Sequence, residues 1–183
     1  MKRVAVFGNA GGGKSALAKR LAEMTRLPLH TIDKIQFRPN DNKIPQKIPD
    51  EQFLREHADL LRRDEWIIDG FGSVASAWER FAQADTLIYS DLPLVTHHWW
   101  VTKRLIAGLF VASDGWPENS PVWSSSMSSY KVLWPCHYGL TPKYRQLVAE
   151  MAATKRVHHL RSAAEIAAFL DAVEREYRSA AAR

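Results

Sequence analysis

The sequence predicts an α/β chain folded as a three-layer sandwich, a five-stranded parallel sheet with helices on both faces. Three observations predict it. Short apolar runs at residues 4–7, 29–33, 66–70, 85–91 and 156–160 alternate with longer amphipathic stretches, the pattern of strands joined by right-handed helical crossovers. The first run leads through a glycine-rich turn straight into a helical pattern. At 183 residues and 46% hydrophobic content, the chain can build one domain around one substantial sheet.

The first strand, Val4-Ala5-Val6-Phe7, is apolar throughout and so is expected at the centre of the sheet. Gly8-Asn9-Ala10-Gly11-Gly12-Gly13-Lys14-Ser15 follows and fits G-x-x-x-x-G-K-[ST], a phosphate-binding P-loop. Each residue type has a separable reason to be there. Glycines permit positive φ and let backbone approach a phosphate closely. Their N–H groups converge at the start of the next helix, where the dipole favours negative charge. Lys14 reaches β- and γ-phosphates, and the Ser15 hydroxyl suits Mg²⁺. A nucleoside triphosphate such as ATP, with Mg²⁺, is the expected ligand. Gly8, Asn9, Ala10, Gly11, Gly12, Gly13, Lys14, Ser15 and Ala16 are its expected contacts.

A helix over residues 16–24 ends near Pro28, and the second strand runs to Asp33. Residues 37–49 hold three prolines and are expected as loop. Asp50 is placed as the N-cap of a helix reaching about Arg63. The third strand ends at Asp69-Gly70, and Ser73 caps the helix that carries Ala77 and Phe81. The fourth strand ends at Asp91, and Pro93 opens a helix running past Arg104 towards Leu109. Residues from about 111 to 141, rich in Ser, Pro and Trp, are expected as an irregular lid-like segment, with a stacking platform for bases or core filling as the alternatives for its tryptophans. A helix from Pro142, a fifth strand and a last helix opened by the capping box of Ser162 and Glu165 complete the chain.

In parallel sheets ligands sit at the carboxyl ends of the strands. That rule selects Asp33, Asp69, Asp91, Arg161 and Ser162 beside the loop. Asp33 suits a general base, or an orienting group, for a phosphoryl acceptor. Arg104 is the first choice of cation for the transferring group, ahead of Lys103, Lys131, Lys143 and Arg145. The pairs His97-His98 and His158-His159 offer no metal site, because adjacent residues face apart.

The order of these pieces resembles the adenylate-kinase-like P-loop kinases. It is most similar to the small adenylate-kinase-related proteins called DNA topology modulation proteins. The pieces are the P-loop, Leu27-Pro28-Leu29-His30-Thr31-Ile32-Asp33, Glu65-Trp66-Ile67-Ile68-Asp69-Gly70-Phe71, Asp91-Leu92-Pro93 and Leu160-Arg161-Ser162 followed by Glu165. The resemblance implies a P-loop NTPase fold and a Walker-B role for Asp69, holding Mg²⁺ with Ser15. It places Arg161 and Ser162 at the adenine ring, and it implies transfer from ATP to a small acceptor such as a nucleoside, nucleotide or sugar-like alcohol. Two departures stand out. Gly72 and Ser73 replace the Pro-Arg that grips acceptor phosphate, and Trp100 takes the first of two arginine positions whose second is Arg104.

A net charge of +5 suits polyanions without separating nucleotide from nucleic acid, so an ATP-dependent regulator associated with DNA is the competing expectation. One cysteine, Cys136, excludes an intrachain disulfide and fits a reducing cytoplasm. Lys2-Arg3 precedes only a short apolar run, and residues 105–112 are too short to span a bilayer, so neither a leader nor a membrane anchor is expected.

Overall fold

The computed structural model describes residues 1–40, 45–107 and 122–181. Its frame is a five-stranded parallel sheet in the order β2-β5-β1-β6-β7, built from β1 (Arg3–Gly8), β2 (Leu29–Thr31), β5 (Trp66–Asp69), β6 (Thr86–Ser90) and β7 (Arg156–Leu160). The central strand β1 has Val4, Ala5, Val6 and Phe7 all buried. Both of its faces are covered by helices, which is why an uninterrupted apolar run rather than an alternating one forms it.

On one face α1 (Lys14–Thr25) and α8 (Ala163–Ala181) pack against the sheet, with Leu17, Leu21, Phe169 and Val173 meeting Val4, Val6 and Ile88. On the other lie α3 (Asp50–Leu61), α4 (Val74–Gln83) and α7 (Thr141–Met151), whose Phe53, Phe81 and Tyr144 meet Phe7, Ile68 and Tyr89. Rings dominate this second core. Phe7 stacks on Tyr89 with centroids 5.1 Å apart and meets Phe81 at 4.3 Å.

Four expectations change. The second strand stops at Thr31, and the chain turns into a short helix, α2 (Ile32–Gln36). The turn tucks buried Ile32 beneath Gly70 and Gly72, where a Cβ would come within 2.9 Å and 3.2 Å of its side chain. Part of the expected loop forms an antiparallel pair, β3 (Phe37–Pro39) and β4 (Pro45–Lys47), standing off the main sheet. Asp50 is the first helical residue of α3 and Pro49 is its cap, with no side-chain cap bond; the Pro49 carbonyl accepts the Phe53 N–H at 3.0 Å and so begins the helix. Residues 122–139 form a helix, α6 (Val122–Gly139); the rest of the expected irregular segment up to residue 121 lies outside the described residues.

The α6 helix runs through Pro135, which removes one intrahelical donor. It lies beside α5 (Leu94–Ala107), with Leu133 fully buried.

Candidate active site at the phosphate loop

The loop between β1 and α1 opens among the strand tips, level with the ends of β5 and β6. Register pairs Val6 with Asp69, Thr31 with Asp69, and Gly8 with Ser90. Gly8 has φ +140, and a Cβ there would stand 2.3 Å from the Ser90 carbonyl oxygen, so only glycine lets the chain leave β1 this way. Gly13 caps α1 with φ 69, leaving the first helical N–H groups unused within the helix.

Side chains around the loop hold its peptides in place. The Ser90 hydroxyl donates to the Gly12 carbonyl at 2.7 Å. In a trans peptide this turns the Gly13 N–H to the opposite side, away from β6. Lys14 lies back over the loop, its ammonium donating to the Asn9 carbonyl at 2.7 Å. Buried Asn9 donates through Nδ2 to the Leu133 carbonyl at 3.1 Å and accepts from the Ala10 N–H at 2.8 Å. The loop is thereby tied to α6. Behind it, His97 and Val101 of α5 close against Gly11 and Gly12, and the Trp100 ring lies against Gly13. Ala16 is on the exposed side of the first turn of α1.

The Ser15 hydroxyl donates to Asp69 Oδ2 at 2.7 Å. Asp69 is 2% exposed, and its Oδ1 is buried with no hydrogen-bond partner among the described residues. Burial raises the Asp69 pKa, and Lys14 and the Ser15 hydroxyl oppose that rise. A buried carboxylate oxygen with a spare lone pair, beside a hydroxyl at the foot of a glycine cradle, fits a hard cation. Among the described residues no three His, Cys, Asp or Glu side chains cluster as a metal site. A cation here would therefore take few protein ligands, as Mg²⁺ beside phosphates does.

Asp33 lies in the first turn of α2, two residues past the Thr31–Asp69 rung and half-buried, rather than in the strand itself. The Arg104 side chain lies outside the described residues, although its backbone is in α5. Ser162 is a helix cap, its hydroxyl accepting the Glu165 N–H at 3.1 Å. The Arg161 guanidinium points at His159 Nδ1, 3.4 Å away. Asp91 is engaged by its neighbours: Arg145 donates to both carboxylate oxygens at 2.8 and 3.1 Å, and His159 Nε2 lies 2.7 Å from Oδ2. Burial alone would raise the Asp91 pKa, but these partners bring it below the usual carboxylate value.

Sequence reasoning missed three supporting groups. One is Ser90. Another is the Leu133 carbonyl that receives Asn9. The third is Arg80, fully buried, which donates to the Gly70 carbonyl at 2.7 Å and the Phe71 carbonyl at 3.3 Å and lies 3.4 Å from His57 Nε2. Arg80 thereby fixes the turn that follows Asp69. A signal for it existed: Arg80 shares the spacing of Ala77 and Phe81 on the apolar face of α4. The departures noted from the sequence also find their uses here. Gly72, at φ +78, packs against Phe53, and Ser73 forms a capping box with Ser76, so both positions serve the start of α4.

No protein-family model matches the chain, and no curated protein matches it. Among solved structures it is similar to a shikimate kinase from Acinetobacter baumannii in complex with shikimate. The two are 15% identical with a TM-score of 0.55, over 98% of this chain and 94% of that one. A sugar kinase from Janibacter sp. HTCC2649 matches at 14% identity and a TM-score of 0.45, over 96% and 91% of the two chains. The fold is a three-layer α/β sandwich around a five-stranded parallel sheet, shared with that shikimate kinase.

Proposed function

We propose that the protein is an Mg²⁺-dependent phosphotransferase that moves the γ-phosphoryl group of ATP to a small alcohol-bearing acceptor. The observation that carries this reading is the Ser15–Asp69 pair, with its unpartnered buried oxygen, beneath a glycine loop whose peptides are held by Ser90 and Lys14. Mg²⁺, held by Ser15 and Asp69, would neutralise phosphate charge.

The chain's own part is positioning. The loop N–H groups and Lys14 cradle the β- and γ-phosphates; the Arg161 guanidinium, turned to His159 at the β7 edge, takes no part in that cradle. Arg104 is assigned to the developing charge on the transferring group. An acceptor hydroxyl oxygen attacks the γ-phosphorus as the bond to the β-phosphate oxygen breaks, and Asp33 takes the hydroxyl proton. Gly72 and Ser73, absorbed by the start of α4, leave that turn without the arginine suited to an acceptor phosphate. This favours an acceptor that reacts through a hydroxyl and carries no phosphate over AMP. Shikimate, bound by the kinase of similar fold, belongs to that class of small hydroxylated molecules.

Acceptor-stimulated ADP release, screened across nucleosides, sugars and cyclic polyols with ATP and Mg²⁺, tests the reading. Asp33→Asn should lower kcat by about a hundredfold or more once an acceptor is found; an unchanged kcat would remove Asp33 from the chemistry. A second reading, a DNA-associated ATP-dependent regulator, draws on exposed Trp99, Trp134 and Tyr138. It requires salt-steep DNA binding without any stimulating acceptor.

A further inference from the structure

A cavity of about 910 Å³ opens at the β7 edge of the sheet, between α7, β7 and the turn after β6. One side is apolar, lined by Val148, Ala152 and Val157; the other carries Arg145 and Arg161. Among the described residues Asp91 is the one carboxylate on its wall, and that charge is already taken. Asp91 Oδ2 accepts from Arg145 Nε and lies 2.7 Å from His159 Nε2, while Oδ1 accepts from Arg145 Nη2. Despite this pairing the Arg145 side chain is 57% exposed. Arg161 has no carboxylate partner for its side chain among the described residues, only the 3.4 Å contact to His159 Nδ1. Two guanidinium groups against one buried carboxylate leave the wall cationic, and a concave low-dielectric surface concentrates that field.

We propose that this cavity binds a small organic anion, a carboxylate or phosphate on an apolar body, at a place separate from the phosphate loop. The anion would bridge the Arg145 and Arg161 guanidinium groups, which suit planar bidentate contact. Its body would cover the surface of Val148, Ala152 and Val157. Occupancy has a route to the loop. Asp91, which holds Arg145, directly follows Ser90, whose hydroxyl holds the Gly12 carbonyl.

Calorimetric titration of the full chain with benzoate, phenyl phosphate, benzamide and inorganic phosphate tests this without any nucleotide, so its outcome is independent of the kinase reading. Benzoate or phenyl phosphate should saturate, with benzamide and inorganic phosphate about tenfold weaker or worse. The stronger of the two aromatic anions tells a carboxylate site from a phosphate site. Arg161→Gln should weaken binding about tenfold, and Ala152→Trp, at an exposed position, should abolish it by filling the apolar side; both should melt like the parent. Lys14→Ala should leave it intact. Failure of both aromatic anions to saturate, equal binding of benzamide, loss in Lys14→Ala, or strict competition by a non-hydrolysable ATP analogue would each overturn the proposal.

Discussion

Asp69 carries opposite demands at the residue scale. Burial pushes its carboxyl towards the neutral form, and Lys14 and Ser15 push it back. Its ionised state therefore depends on Lys14 and Ser15 of the loop together with Arg80 and the Gly70 backbone behind it. Asp69→Asn keeps the shape and removes the charge. Nucleotide binding without Mg²⁺ should change little, while the extra affinity that Mg²⁺ confers should fall by about tenfold or more, measured by titration in both conditions. Ser90 acts one step further out. Ser90→Ala frees the Gly12 carbonyl and should weaken ATP binding several-fold, in line with about 1 kcal/mol for one lost hydrogen bond. Wild-type affinity in that variant would show the loop holds itself.

The α5–α6 pair is the element on which the loop depends. Asn9 donates to the Leu133 carbonyl, Trp100 lies on Gly13, and Val101 lies on Gly11. On the proposed reading, phosphate bound at the loop would be coupled to the position of these helices through these contacts. The outer side of the pair is apolar and exposed, with Trp134 stacked on Tyr138 at 5.6 Å and Trp99 64% exposed. We read the pair as a lid that excludes water when ATP is bound. An ATP analogue should slow proteolytic cleavage within α6 severalfold in the parent and much less in Asn9→Ala. Equal cleavage with and without the analogue would argue against a lid.

Two buried histidines contribute to the acid response of the whole molecule. His57 is fully buried and His97 1% exposed. Burial, helped by the charge of Arg80 for His57 and of Lys14 for His97, brings both from 6.5 to about 4. Between those values the unfolded chain binds protons that the folded chain refuses, so stability is lost as pH falls from 6.5 towards 4. Above that window these groups contribute no pH dependence. The melting temperature should therefore drop across it, and His57→Gln should make the drop shallower; an identical profile in the variant would assign it elsewhere. At this scale no helix among the described residues is long and apolar enough to cross a membrane.

The sequence by itself determined the sheet, the glycine loop and two of the acids at the strand tips, Asp69 and Asp91; Asp33 falls in α2 instead. Apolar runs, glycine spacing and caps such as Ser73 act over a few residues, and local chemistry decides them. The pairing of Ser15 with Asp69 came from the resemblance, and the parallel register of β1 and β5 brings the two within hydrogen-bond reach. Tertiary structure decided the rest. Ser90 reaches Gly12 across 78 positions, and Asn9 reaches Leu133 across 124. Ile32 bends the second strand because Gly70 and Gly72 leave room for it, and Arg80 is buried because two carbonyls await it there. Each is a contact between distant segments whose partner exists only once the chain has packed, and a periodic pattern reports which face a residue occupies without naming what it will meet.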